Sequence, residues 1–153
     1  MIYYFDSSAA VKRYASEKGS RWVKDIVEPA AENIIYLGQI GVVEIAAALS
    51  KKVRIGELAQ ENYEAALQLF LADVQNEEYI TANLSDAIIQ LAVELTKRHP
   101  LRGYDAVHLA TALSLNAVLL NAGAPTIAVV TGDRILREAA RDEGLPVENP
   151  DEH

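Results

Sequence analysis

Residues 1–14, MIYYFDSSAAVKRY, pose the question on which the fold turns, because an uninterrupted apolar run stops on a carboxylate. Ile2, Tyr3, Tyr4 and Phe5 read as a short strand buried on both faces: β-branched and aromatic residues dominate it, and no polar alternation breaks it. Asp6 stands at the carboxyl end of that strand. SSAAVKRYA then reads as a helix with Ser7 or Ser8 as N-cap, which sets Asp6 in a strand-to-helix crossing.

Outward from this unit the chain keeps alternating. GSRWVKDIVE (19–28) predicts a short helix capped by Ser20, and NIIYL (33–37) a second apolar strand. IGVVEIAAALSKKV (40–53) predicts a helix in which Val43, Ala46, Ala47 and Ser50 share a face. AQENYEAALQLFLADVQ (59–75) places Ala66, Leu67, Phe70, Leu71 and Val74 at helical spacing, either inside or as a dimer or partner surface. YITA (79–82) is a short strand, and SDAIIQLAVELTKRH (85–99) a helix stopped before Pro100. GYDAVHLATALSLNAVLL (103–120) is a further helix ending near Gly123 and Pro125. TIAVVT (126–131) is a strong strand, DRILREAARDEG (133–144) a helix with a Gly stop, and LPVEN (145–149) a terminal edge strand. Strands interleaved with helices imply an α/β fold, a three-layer α/β/α domain around a mainly parallel central sheet whose strand order stays open.

Composition narrows the chemistry. At 153 residues the chain is expected to form one domain over 1–153, burying about two thirds of its unfolded surface. Without cysteine, disulfides, thiolate metal sites and Cys nucleophiles are excluded, leaving oxygen and imidazole ligands. No leader segment and no run of roughly 20 apolar residues is found, so a cytoplasmic protein without membrane contact is expected. Lys plus Arg is 14 against 22 for Asp plus Glu, a net charge of −8, which argues against coating of nucleic acid and allows only a local basic rim.

Ligands of open parallel sheets sit beyond the carboxyl ends of the strands. Asp6 and Asp133 both follow strands and would face one crevice if those strands are neighbours. Glu44, in VVEIAAAL, and Asp105, in GYDAVHLATAL, interrupt apolar helical surfaces, where an ionised carboxylate is costly unless paired or metal-bound. Each acid has a plain structural reading beside the chemical one. Asp6 and Asp133 can cap helices, and Asp105 can answer a helix dipole. Glu44 has no such outlet, since positions 40 and 48 are Ile and Ala. Four converging carboxylates would repel one another, whereas Mg²⁺ or Mn²⁺ reverses that balance and suits phosphodiester hydrolysis by a metal-activated water, with one or two ions.

The blocks FDSSAAVKRY, VVEIAAAL, LRGYDAVHLATAL and AVVTGDRILREAA, together spanning nearly the whole chain, resemble the four ordered motifs of the PIN-domain ribonucleases, particularly the VapC-like toxins of toxin–antitoxin pairs. The resemblance implies that Asp6, Glu44, Asp105 and Asp133 form the metal pocket, with Ser8 and Thr131 as supporting hydroxyls. It further implies Mg²⁺- or Mn²⁺-dependent endonucleolytic cleavage of RNA to 5′-phosphate and 3′-hydroxyl ends, a small antitoxin protein that occludes the pocket, and a homodimer. The chain departs from the pattern in its acidity and in the long path SLNAVLLNAGAPTI (114–127) between the last two motifs.

Other residues complete the reading. His108, three positions after Asp105, is better read as packed in or beside the pocket than as a ligand; His99 reads as a helix-end cation. Lys12, Arg13, Arg102, Arg134 and Arg137 flank the acidic blocks as a rim for RNA phosphates or as ordinary solvated helix faces. Tyr104 and Trp22 read more simply as core than as base-stacking platforms. A non-catalytic PIN-like module binding protein or RNA is the alternative function. A haloacid-dehalogenase-type phosphatase would need an Asp where Ser8 stands, and a receiver domain a strand-end Lys that AVVTGD lacks.

Overall fold

The computed structural model describes residues 1–153, the side chain of Pro29 excepted. Among the described residues five strands form one parallel sheet in the order β3-β2-β1-β4-β5. The strands are β1 (Ile2–Phe5), β2 (Ile34–Gly38), β3 (Ile80–Ala82), β4 (Ala128–Val130) and β5 (Val147–Glu148). The helices are α1 (Ser7–Ala10), α2 (Ser20–Val27), α3 (Gln39–Arg54), α4 (Gln60–Gln75), α5 (Asp86–Arg98), α6 (Gly103–Asn121) and α7 (Arg134–Asp142).

The two-residue pleat of β1 explains the layers. Tyr3 and Phe5 point into a core shared with α1 to α4, where Ile45, Leu49, Ala66 and Phe70 meet β2. Ile2 and Tyr4 point the other way, into a core with Leu95, Leu109 and Leu136 from α5, α6 and α7. Helices thus cover both faces, as a sheet apolar on both sides requires. The fold is the expected three-layer α/β/α arrangement, and β5 is the expected edge.

Local departures have physical causes. Helix α3 buries Gly41, Ile45 and Leu49, not the face of Val43, Ala46, Ala47 and Ser50; Val43 is 71% exposed. In α4, Ala66 and Phe70 are buried and Leu67 and Val74 pack beside them, but Leu71 is exposed. Ser20 is the first residue of α2 rather than its cap. Gly19 takes the cap position at φ 80, a region open to glycine, while the Ser20 hydroxyl accepts from Glu17 N and donates to Ala15 O. The long path after α6 is pinned by Asn116, whose Oδ1 accepts from Thr126 Oγ1 at 2.9 Å and from Ile127 N at 3.0 Å.

Because β2 and β3 lie to one side of β1, and β4 and β5 to the other, the strand order reverses at the β1/β4 seam. Crevices form at such seams, beyond the carboxyl ends of the strands.

Candidate active site

Phe5 and Val130 are register partners, so the residues that follow them leave the sheet side by side. Asp6 N donates to Val130 O at 3.2 Å, which fixes the exit of β1 against β4. The Asp6 carboxylate caps α1 by accepting from Ala9 N at 2.9 Å. Its oxygens also accept from Ser8 Oγ at 2.8 and 3.0 Å and from Thr131 Oγ1 at 2.5 Å.

Both hydroxyls work twice. Ser8 Oγ accepts from Gly132 N at 2.9 Å, and Thr131 Oγ1 accepts from Asp133 N at 3.0 Å. Each one ties Asp6 to the turn after β4. Asp133 uses Oδ1 to cap α7 through Leu136 N at 2.8 Å, and its Oδ2 lies 4.0 Å from Arg102. Asp105 occupies the first turn of α6, with its Oδ2 3.8 Å from Arg102 Nε. The capping and first-turn roles are therefore real, and they coexist with convergence of the same acids.

The electrostatics measure that convergence. Asp6 is 4% exposed, and burial pushes its carboxyl above the usual carboxylate range against the pull of Thr131, His108, Ser8 and the Ala9 amide. Asp105 is also raised, first by burial and next by the negative charge of Asp133, with Asp6 adding to it and Arg102 and His108 opposing. Three acids from three separate segments thus feel one another.

Glu44 is reached through a histidine. His108 is almost fully buried, and its Nε2 lies 2.5 Å from Glu44 Oε2. This is the partner Glu44 lacks within its own helix, supplied by α6 from 64 residues away. Burial works against a charged His108 ring, but the hydrogen bond to Glu44 and the charges of Asp6, Glu44 and Asp105 outweigh it and raise its pKa. Histidine stands beside the acids, as expected. Tyr4 is the participant that the sequence reading missed: its hydroxyl lies 2.8 Å from His108 Nδ1. A signal existed, since a tyrosine buried in a two-sided strand needs a partner for its hydroxyl.

Among the described residues, no three His, Asp or Glu side chains are gathered closely enough to hold a metal by themselves. Mg²⁺ is usually held by only one or two carboxylates and keeps several waters. Asp6, Asp105 and Asp133 are oxygen donors of the type such a cation takes, and their charges act on one another at Asp105.

The basic rim divides. Arg102 and Arg134 are open, with side chains 83% and 70% exposed, and Arg134 also pairs with Glu138. Arg137 donates to the carbonyls of Gly132 at 2.7 Å and Thr131 at 3.4 Å and so braces the turn beside Asp133. Lys12 and Arg13 differ from the expected rim. Lys12 is buried, its ammonium committed to Asp151 at 2.9 Å, Glu17 at 3.2 Å and Lys18 O at 2.9 Å. Arg13 faces Asp73 at 3.2 Å and the rings of Tyr14 and Tyr79. Long cations in the last turn of a helical segment, as here just after α1, sink inward when acids wait there, because a buried charge is tolerated only with partners. Tyr104 is exposed rather than core, Trp22 stacks on His153 at 4.2 Å, and His99 pairs with Glu143 at 2.7 Å.

The sequence profile of the PIN domain matches residues 3–142. Ribonuclease VapC45 of Mycobacterium tuberculosis (strain CDC 1551 / Oshkosh) is 30% identical over 152 residues, covering 95% of this chain and 94% of that protein. Ribonuclease VapC49 of M. tuberculosis (strain ATCC 25618 / H37Rv) matches to the same extent. Among solved structures, VapBC2 from Rickettsia felis, bound to a DNA fragment from its promoter, aligns with a TM-score of 0.64 at 18% identity, over 97% of this chain and 98% of that one. A toxin–antitoxin complex from Klebsiella pneumoniae aligns at 0.56 and 17%, over 97% of each chain. The structural likenesses concern the fold.

Proposed function

This chain belongs to the PIN-domain family, in its VapC-like group, and from that premise we propose that it is a metal-dependent endoribonuclease, the toxin of a toxin–antitoxin pair. The observation that carries the reading is the electrostatic clustering of Asp6, Asp105 and Asp133 about the β1/β4 seam, with the hydrogen-bonded Glu44–His108 pair feeling the charges of Asp6 and Asp105. The names of the mycobacterial relatives and the complexes in which the structural neighbours occur support it. In this reading the 153 residues act as one catalytic domain in the cytoplasm, form a homodimer, and are silenced by a small antitoxin protein.

Asp6 and Asp105 would hold Mg²⁺ or Mn²⁺, and Glu44 and Asp133 would complete the site or orient the attacking water. A bound cation of this type supplies a lowered water pKa and neutralises phosphate charge. Asp6 needs no reorganisation to serve, because Ala9, Ser8 and Thr131 fix its orientation beforehand. Water oxygen joins phosphorus and the P–O3′ bond breaks, which leaves a 5′-phosphate and a 3′-hydroxyl. Arg102 and Arg134 draw the RNA backbone inward. A cleft of about 420 Å³ shares Ser8 and Gly132 with the acidic centre; Lys51 on its wall offers a cation to the strand, whereas Lys12 and Lys52 there are already paired with Asp151, Glu17 and Glu57.

RNA digestion with Mg²⁺ or Mn²⁺, after EDTA, and by Asp6→Asn protein tests the proposal. Cleavage confined to the first sample, with 5′-phosphate ends, is the expected result. Equal cleavage in all three contradicts it.

A further inference from the structure

Glu44 is one end of a three-residue arrangement whose other two members, Tyr4 and His108, the hydrolytic reading leaves unused. It extends from the acidic centre into the core on the α5–α7 side of the sheet, and each of its three members comes from a different element. Tyr4 of β1 is 0% exposed and His108 of α6 is 2% exposed, and only Glu44 of α3 reaches the edge, its side chain 21% exposed. Two contacts connect them, Tyr4 Oη to His108 Nδ1 at 2.8 Å and His108 Nε2 to Glu44 Oε2 at 2.5 Å.

The protons on this chain are constrained. A carboxylate oxygen accepts, so the ring nitrogen facing Glu44 Oε2 is the one that carries hydrogen in this arrangement. A neutral ring with hydrogen on Nε2 satisfies this when the Tyr4 hydroxyl donates to Nδ1. A doubly protonated ring satisfies it equally, with Nδ1–H donating to the Tyr4 oxygen. The neutral tautomer bearing hydrogen on Nδ1 alone would set an Nε2 lone pair against the carboxylate. Tyr4, able both to give and to accept, suits the two productive forms.

The backbone makes room for the pair. A Cβ on Gly38 would stand 2.5 Å from the Tyr4 hydroxyl oxygen, and one on Gly41 would stand 2.9 Å from Leu37 Cδ1 and 3.6 Å from His108 Cε1. Gly38 at the start of α3 is thus a spacer for the tyrosine, while the tight contact at Gly41 is with Leu37 and the imidazole lies at ordinary packing distance.

We propose that His108 is a positioning residue, locked by Tyr4 at one ring nitrogen and donating from the other to Glu44, so that the Glu44 carboxylate is presented to the acidic centre in one fixed orientation with Oε1 left available. The inference rests on the proposed metal-dependent hydrolysis and adds a device to it. An outer partner of this kind typically changes metal affinity or activity by about 10- to 100-fold when removed.

The test uses Mn²⁺ alone as calorimetric probe, with RNA cleavage measured in parallel, on wild type, His108→Leu, His108→Gln and Tyr4→Phe, each checked for folding by circular dichroism. His108→Leu is expected to weaken Mn²⁺ binding and to lower kcat by about 10- to 100-fold, with KM for RNA held within about twofold. His108→Gln, whose amide nitrogen can reach the place of Nε2, should recover most of the loss. Tyr4→Phe, which keeps the ring volume, should show a smaller loss of the same kind, together with a change in the ¹⁵N tautomer signature of His108 in metal-free protein. The proposal is overturned if folded His108→Gln is as impaired as His108→Leu, or if Tyr4→Phe leaves both Mn²⁺ affinity and the ¹⁵N signature unchanged. Wild type that binds and cleaves while the variants match it sinks the positioning role alone. Wild type that neither binds Mn²⁺ nor cleaves RNA sinks it together with the hydrolytic reading.

Discussion

Asp6 and Asp73 are both buried carboxylates that accept hydrogen bonds from hydroxyls, yet they are companioned differently. Asp73, on α4, accepts from the Tyr14 hydroxyl at 2.7 Å and has the Arg13 guanidinium 3.2 Å away, with Tyr79 completing the group. Asp6 accepts hydrogen bonds only from neutral donors, Ala9 N, Ser8 and Thr131; His108 acts on it only through charge, and it adds to the upward shift of Asp105, another acid. A buried acid with its own arginine is a closed structural unit. One fixed by neutral donors beside other acids has no hydrogen-bonded counter-charge of its own, which is where the proposed cation would act.

The widest separation between the two regions should come from removing their charges. Asp6→Asn is expected to abolish RNA cleavage while leaving a folded protein. Asp73→Asn is expected to keep cleavage but to lose about 3 kcal/mol in urea unfolding, because Arg13 is left buried without its counter-charge. Loss of activity in the Asp73 variant at unchanged stability would erase the distinction.

Next in size is the response to cations. Mn²⁺ at 100 times its dissociation constant should stabilise wild type by about 2.7 kcal/mol, and Asp73→Asn by the same increment, but not Asp6→Asn. A thermal melt series settles it. Equal stabilisation of all three proteins would mean that the ion binds elsewhere.

Opposite pH slopes give a finer contrast. Asp105 is raised above its ordinary value in the fold, so the metal-free native state holds that proton more tightly than the unfolded chain. Stability then falls as pH rises from the ordinary carboxylate value through the raised one. Glu143 is its counterpart, pulled upward by burial but held low overall by the hydrogen bonds and charges of His99 and Arg98 together. Its contribution is present above the ordinary glutamate value and is lost as pH falls through the lowered one. Asp105→Asn should flatten the first slope and Glu143→Gln the second, the latter by under about 1 kcal/mol at this partly open site. Slopes of the same sign would contradict the assignment of company to each acid.

The smallest effect is expected at Arg102, whose exposed side chain lies near Asp105 and Asp133 only at 3.8 and 4.0 Å. Arg102→Ala should change stability by less than about 0.5 kcal/mol while raising KM for RNA at low salt.

Much of this was readable from residues. The β–α alternation, the edge strand near the end and the four separated acids follow from apolar runs punctuated by capping residues and carboxylates. The reading missed what only packing decides. In α3, VVEIAAAL is apolar nearly all round, so periodicity could not tell Ile45 and Leu49, which are buried, from Val43, which is not. Lys12 and Arg13 look like surface cations until Asp151 and Asp73 arrive from 139 and 60 residues away. The strand order depends on which edges pair, and Tyr4 looked like core because its partner lies 104 residues on.

The most direct test of the central claim, that folding gathers these acids around a hard divalent cation, is an anomalous difference map from a crystal soaked in Mn²⁺. The account predicts a peak at the β1/β4 seam bonded to Asp6 and Asp105, with Glu44 and Asp133 facing it. A map with no peak there, in crystals whose RNA-cleaving activity has been verified in solution, would contradict it.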